Sequence, residues 1–327
     1  MGTINPQYCP DIAPVPTGTP RPLWSVMIPT YNCADFLRLT LKSVLIQDPG
    51  PELMQIEVVD DVSTRDDPEA VVKEMGQGRI KFFRQKNNVG ATANFNTCVR
   101  RSKGRFIHIL HGDDLVKEGF YKRIGAPLLE NPEIGAAFCR QVFIDEHGKT
   151  LETIDLEQPD SGILPDFLPR ISMTNCVQPP SIVIRRSVYE NLGGYDLRLF
   201  HTADWEMWVR ITSNFPIWYE TEAMALYRRH TTSDSAQLFL TGRNMQDRRR
   251  CIQIFGNHLP PNLKEEYCRA GLENSALYAI ETFYNIWRTG YRRQAFTQLK
   301  ESLITSRSPR VWVEAIHKGY YKIIQKT

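Results

Sequence analysis

Three short polar clusters carry the chemistry of this sequence. They are Pro29-Thr30-Tyr31-Asn32, Asp60-Asp61-Val62-Ser63 and His111-Gly112-Asp113-Asp114, and each directly follows a short apolar run. Two adjacent carboxylates repel each other unless a cation lies beside them. Carboxylate oxygens at close quarters suit Mg²⁺ or Mn²⁺, which keep waters and complete their shells with phosphate oxygens. Asp113-Asp114 therefore reads as a divalent-cation and phosphate site. Asp35 and Asp66-Asp67 read as helix caps and turn formers. There is no Gly-x-x-x-x-Gly-Lys-Ser/Thr, which excludes a P-loop nucleotidase. There is no Gly-x-Gly-x-x-Gly after the first apolar run, which argues against a dinucleotide oxidoreductase.

The elements that must hold these clusters alternate. Apolar runs at Trp24–Pro29, Ile56–Val59, Ile80–Phe83 and Arg105–Leu110 read as buried strands. Between them Asp35–Gln47, Pro68–Met75 and Asn94–Ser102 read as helices. Such alternation predicts an α/β fold with a mostly parallel sheet covered by helices on both faces. Ligands of these sheets bind beyond the carboxyl ends of the strands, where the three polar clusters fall. After residue 115 the alternation weakens. Ala136–Cys139 and Val142–Ile144 read as two strands around a turn, 145–175 as mostly loop, and Ser181–Ile184 and Trp218–Tyr227 as further strands. Beyond residue 240 only helices are expected.

The ordered set of segments resembles family 2 glycosyltransferases of the GT-A fold. It runs through Val26–Asn32, Val58–Thr64, Asn88-Val89-Gly90, Ile109–Asp114, Gly193–Asp196, Ala203–Arg210 and Tyr227–His230. The resemblance implies an inverting, metal-dependent transfer of a sugar from a nucleoside diphosphate, most readily a UDP-sugar, to an acceptor hydroxyl. It implies that Pro29, Thr30, Tyr31 and Asp61 hold base and ribose, with Asn94 and Asp113 also on the donor. Asp113, Asp114 and His230 would serve a Mn²⁺ or Mg²⁺ cofactor. Asp204 would be the catalytic base that takes the acceptor proton. Trp205, which adjoins it, reads either as a platform that stacks on an acceptor sugar or as core packing. Three positions depart from the family pattern. His111 stands where the first Asp of Asp-x-Asp-Asp is common, Ala203 where Glu is common, and Phe95 where an Arg is common. An apolar Ala203 is expected to make Asp204 somewhat less basic. The implied acceptor is a surface-polysaccharide or lipid-linked glycan.

Composition sets the frame. The 327 residues are 42% apolar and 24% charged, with a net charge of +3, which is ordinary globular composition and gives no argument for nucleic acid. The charge is split: residues 243–327 hold 15 basic and 7 acidic groups, a net of +8, against −5 for the rest. The expected organisation is an extended Pro-rich arm over 1–22, a glycosyltransferase domain over 23–240 and a basic helical region over 241–327. A basic amphipathic segment with Trp and Tyr can lie in an anionic membrane interface. Packing as a helical cap is the other reading of this tail, and both stay open. Seven widely spaced cysteines fit neither a disulfide framework nor a Cys-x-x-Cys zinc site. With no signal-peptide pattern and no apolar run near the ~20 residues that span a bilayer, the expectation is a cytoplasmic protein, free or at the inner face of the membrane. Two other functions compete: a nucleotide-sugar-binding protein without turnover, and a nucleotidyltransferase. The intact acidic set weighs against the first, and the missing Gly-rich basic phosphate loop against the second.

Overall fold

The structure is a computed structural model that describes residues 6–230 and 234–324. Its centre is one ten-stranded sheet. The strands are β1 (Trp24–Thr30), β2 (Met54–Asp60), β3 (Lys81–Arg84), β4 (Phe106–Ile109), β5 (Leu115–Val116), β6 (Ala136–Ile144), β7 (Thr150–Thr153), β8 (Gly162–Ile163), β9 (Ile182–Arg185) and β10 (Ile217–Arg228). The main path runs β3-β2-β1-β4-β9-β6-β10-β5, with β7 on β6 and β8 on β10. Strands β3, β2, β1 and β4 are mutually parallel, and β6 and β10 are parallel to each other. Strand β9 joins the two groups in antiparallel sense. The observed architecture is therefore the α/β, mostly parallel arrangement expected of the GT-A fold.

Helices cover both faces. They are α1 (Ala34–Leu45), α2 (Pro68–Gly76), α3 (Ala91–Arg101), α4 (Phe120–Glu130), α5 (Phe167–Met173), α6 (Arg186–Leu192), α7 (Ala203–Thr212), α8 (Asp234–Thr241), α9 (Arg243–Phe255), α10 (Pro261–Arg288), α11 (Arg292–Thr305) and α12 (Pro309–Ile324). Period-2 alternation divides the strands between two cores. Val26, Ile28, Ile56 and Val58 face the core under α1, α2 and α4, while Met27, Val59 and Ile107 face the core under α3, α6 and α7.

Several boundaries differ from the sequence reading. The two strands expected around residue 140 are one continuous strand, β6, because Arg140-Gln141 stays in the ladder with β10. The presumed loop over 145–175 contains β7, β8 and α5. Asp35 does not cap α1. Cys33 is the N-cap, without a side-chain bond, and Asp66 reaches across to accept the Ala34 amide at 2.8 Å. Asp67 does cap α2, accepting the Ala70 amide at 3.1 Å.

Segments of both terminal regions, within the described residues, pack on the central unit. In the N-terminal segment Cys9 and Ile12 are buried, and the Tyr8 and Pro10 carbonyls accept the Leu197 and Gly194 amides at 2.8 Å each. At the other end Cys251, Ile252 and Phe255 of α9 belong to the same core as Trp205 and Trp208 of α7. Helix α10 packs on α5 and carries α11 and α12. The basic C-terminal helices thus lie against the elements that present Asp204.

Candidate functional site

The first wall of the site is the joined ends of β1, β2 and β4. The Gly112 amide donates to the Pro29 carbonyl and the Asp61 amide to the Thr30 carbonyl, each at 3.0 Å. This approach favours glycine: a Cβ on Gly112 would stand 3.0 Å from Thr30 Oγ1 and 3.1 Å from Cys33 Sγ, a tight fit that those side chains would have to relieve. Thr30 is buried, with its hydroxyl 3.0 Å from Cys33 Sγ, and Tyr31 is 40% exposed at the rim. Asp61 is buried. Its Oδ1 accepts the Val89 amide at 2.8 Å and its Oδ2 the Gly90 amide at 2.9 Å, so this carboxylate organises the Asn88-Val89-Gly90 loop. Val62, between Asp61 and Ser63, has φ +64°, a strained value for a β-branched residue.

The second wall is the acidic turn after β4. Asp114 is 1% exposed; its Oδ1 accepts the Arg228 amide at 2.8 Å, and its Oδ2 has no hydrogen-bond partner. The Thr40 hydroxyl of α1 donates to the Asp114 carbonyl at 2.8 Å and the Gly112 carbonyl at 3.0 Å, fixing the turn. Asp113 Oδ2 lies 3.0 Å from His230 Nε2. Burial drives both carboxyls upward. At Asp113 the hydrogen bond from His230 and the nearby His111 and His230 outweigh burial, and its pKa falls below the ordinary 3.8. At Asp114 burial and the Asp113 charge win over Arg228, and its pKa rises well above 3.8.

His111 completes this wall. Its Nδ1 is 3.9 Å from Asp114 Oδ2, and its Nε2 is buried without a hydrogen-bond partner. The ring stacks on Phe95 with centroids 4.9 Å apart and planes 16° from parallel. Burial lowers the His111 pKa against the opposing Asp113 charge, which favours the neutral, ligating imidazole. His111, Asp113 and Asp114 each offer a ligand atom, all within 4.8 Å of one another. This mixed oxygen and nitrogen set, with orphaned Asp114 Oδ2 and His111 Nε2, fits a divalent cation.

The third wall is the start of α7. Asp204 sits in the first turn, after the N-cap Thr202. Its Oδ1 accepts the Trp205 amide at 2.7 Å and its Oδ2 accepts from Asn175 Nδ2 at 3.0 Å. Burial raises its pKa from 3.8 to about 6, against the lowering effect of those two bonds and of Arg248. Desolvation is the largest influence on this carboxyl, and the apolar Ala203 adds no charge beside it. Asp247 of α9 fixes this helix start. It is 1% exposed, and its Oδ2 accepts the His201 amide, the Thr202 amide and the Thr202 hydroxyl at 2.9 Å each.

The walls meet around Tyr227 of β10. Burial raises its phenol pKa first, and the charges of Asp114, Asp113 and Asp204 raise it further. Of the residues expected to contact ligands, Thr30, Tyr31, Asp61, Asp113, Asp114, His230 and Asp204 thus lie along the strand ends or this shared neighbourhood. Two others are corrected. Asn94 is 2% exposed, donates to the Val59 carbonyl at 2.9 Å and accepts from Gln85 at 3.0 Å, so its amide ties α3 to β2 and β3. Trp205 is fully buried. It packs on Phe255, donates from Nε1 to the Ile171 carbonyl at 2.6 Å and lies under the Arg248 guanidinium, so its ring is core rather than a sugar platform. The sequence reading missed Asp247 and Arg248. Their only signal was the charged run Asp247–Arg250, which reads as an ordinary solvated helix start.

Comparison with known proteins bears on the fold and the family. The family model described as Glycosyl transferase family 2 matches residues 25–193. An uncharacterized protein of Mycobacterium tuberculosis is 26% identical over 254 residues, covering 74% of this chain and 78% of the relative. An uncharacterized glycosyltransferase of Methanocaldococcus jannaschii is 26% identical over 197 residues, covering 59% of this chain and 66% of the relative. Among solved structures, S. aureus TarS 1–349 in complex with UDP-GlcNAc superposes with a TM-score of 0.65 at 16% identity, over 90% of this chain and 88% of TarS 1–349. Mannosyltransferase PcManGT from Pyrobaculum calidifontis, in complex with GDP-Man and Mn²⁺, gives 0.56 at 18% identity, over 97% and 85% of the two chains. At these identities the structural likeness carries the fold.

Proposed function

The chain belongs to glycosyl transferase family 2 and is a glycosyltransferase, and we propose that it moves a sugar from a nucleoside diphosphate, preferentially UDP, to an acceptor hydroxyl with inversion at the anomeric carbon. The observation that carries this reading is the separation of the carboxylates into two environments. Asp113 and Asp114 form a dense, coupled pair with an orphaned oxygen, whereas Asp204 is single, partly buried and raised to about 6. Carboxylates whose environments push their pKa values apart divide the labour of a reaction.

In this reading Pro29, Thr30, Tyr31 and Asp61 receive the nucleoside, and Asp113 approaches the ribose. Asp113 and Asp114 would hold Mn²⁺ or Mg²⁺, with His111 and His230 beside them. The ion, when bound, supplies Lewis-acid stabilisation of the diphosphate leaving group. Asp204 accepts the proton of the attacking hydroxyl. Asn175 and the Trp205 amide aim its carboxylate, and a pKa near 6 leaves it mostly ionised at neutral pH yet basic enough to take the proton. PcManGT, crystallised with GDP-Man and Mn²⁺, and TarS, with UDP-GlcNAc, support a nucleotide-sugar donor and a divalent ion.

We assign the acceptor to a surface-polysaccharide or lipid-linked glycan reached at an anionic membrane face. Helix α12 exposes Trp312, Val313 and Ile316 next to Arg310 within the +8 region, which supports that contact. Among the described residues no helix is long and apolar enough to cross a membrane. The domain division at residues 22 and 240 belongs to the same proposal, with α9 lending Asp247 to the site across the second boundary. The deciding experiment is a donor screen that follows UDP and GDP release with Mn²⁺ present. Release from a UDP-sugar supports the reading. Inertness with every donor would favour a binding protein without turnover.

A further inference from the structure

Resting on the reading of Asp204 as proton acceptor, we infer that Arg248, with Tyr278 and Ser275, forms a subsite beside Asp204 for a negatively charged group of the acceptor, a phosphate or a carboxylate. Arg248 projects from α9 and is 8% exposed. Its guanidinium lies between two rings, 4.7 Å from the Trp205 centroid and 4.9 Å from that of Tyr278. Its Nε donates to Ser275 Oγ at 3.2 Å. Its two terminal nitrogens have no hydrogen-bond partner among the described residues, and no carboxylate there lies within ion-pair distance. Two other buried arginines hold carboxylates: Arg210 holds Glu206 at 2.6 Å and Arg186 holds Glu190 at 2.9 Å.

The guanidinium keeps its charge, and among the described residues no anion neutralises it. Stacking between two aromatic faces satisfies the plane of the group but not its edge donors. Those donors form a flat fork that matches the two oxygens of a carboxylate or phosphate. The location gives the fork a use. Trp205 directly follows Asp204, and the Arg248 charge lowers the pKa values of both Asp204 and His201. Tyr278 is 40% exposed, so the subsite has an outer side open to solvent. An anion bound here would hold an acceptor next to the proposed base. The subsite residues Arg248, Ser275 and Tyr278 belong to the helical region outside the family match at 25–193.

The test is calorimetric titration of the full chain with glucose, glucose 6-phosphate and glucuronate at equal ionic strength, repeated with UDP and Mn²⁺ present. At least one charged sugar should bind about tenfold or more tightly than glucose, as a charge-assisted bidentate pair requires, and equally well with UDP present. The preferred anion identifies phosphate or carboxylate. Arg248→Gln should remove the preference. Arg248→Lys keeps the charge but loses the fork; it should weaken binding several-fold, and it serves if the Gln variant fails to fold. Equal binding of neutral and charged sugars, wild-type affinity in Arg248→Lys, or displacement of the anion by UDP would overturn the subsite. Failure of UDP itself to bind would strike the donor reading alone and leave these comparisons intact.

Discussion

Replacing the proposed base should stabilise the protein while stopping its reaction. The Asp204 carboxyl titrates at about 6 instead of 3.8 because burial disfavours its charged form. A native pKa above the unfolded value means that the folded state binds the proton more tightly. Stability from this group is then complete below pH 3.8 and is lost as pH rises through about 6. At about 1.4 kcal/mol per pH unit, the ionised carboxylate costs the fold about 3 kcal/mol at pH 8, or about 2 kcal/mol once the solvent that still reaches it is allowed for. Asp204→Asn removes that cost. The new amide oxygen can accept the Trp205 amide, and Asn175, whose Oδ1 is buried without a partner, can turn to accept from the amide nitrogen. In urea unfolding at pH 8 the variant should exceed the wild type by about 2 kcal/mol, and the difference should fade between pH 6 and pH 4. Transfer should drop by about 10²–10⁴, and wild-type kcat/KM should fall tenfold per pH unit below about 6. A stability difference that does not change with pH would refute the assigned burial cost, and retained turnover would remove Asp204 as base.

Three further outcomes follow from the same geometry. EDTA should abolish donor turnover with recovery on adding Mn²⁺, and His111→Ala should weaken Mn²⁺ binding, read by electron paramagnetic resonance, by about tenfold or more; full activity in chelator would sink the metal role. Asp247→Ala leaves the His201 and Thr202 amides without their acceptor, so it should lower stability by about 1–3 kcal/mol and reduce kcat while UDP affinity holds; an unchanged unfolding midpoint would contradict that role. Trp312→Ser with Ile316→Ser should reduce co-sedimentation with vesicles containing anionic lipid while leaving the circular dichroism melt intact, and unchanged partitioning would leave α12 as a cap alone.

The parallel half of the sheet was legible because its strands are continuous apolar runs closed by polar turns, and a buried strand covered on both faces leaves that pattern. Asp113 and Asp114 were legible for a related reason, since both follow such a strand at its end, whereas Asp204, in the first turn of α7, was legible through the family resemblance. What escaped was long-range. Nothing local distinguishes Asn94, facing the Val59 carbonyl, from an asparagine facing a nucleotide. Trp205 looked available because it adjoins Asp204, yet helical geometry turns neighbouring residues about 100° apart, and this one faces Phe255. Asp247 and Arg248 reach the site only because α9 folds back on α7, a contact with no sequence pattern of its own.

The departures at 95 and 111 also gain a common cause. Taken singly, Phe95 in place of a common Arg and His111 in place of a common Asp each remove a charge from the donor side. In the fold the two rings stack at 4.9 Å. An Arg and an Asp at these positions would answer each other by charge, and this chain answers ring with ring. Restoring only one member would set a lone charge against an aromatic face: Asp at 111 would meet Phe95 and stand beside Asp114, adding a third carboxylate without the cation that balances it. The acidic turn is therefore tuned by a pair of residues from different elements. The His111 ring that Phe95 holds in place is the one whose Nδ1 lies 3.9 Å from the unpartnered Asp114 Oδ2.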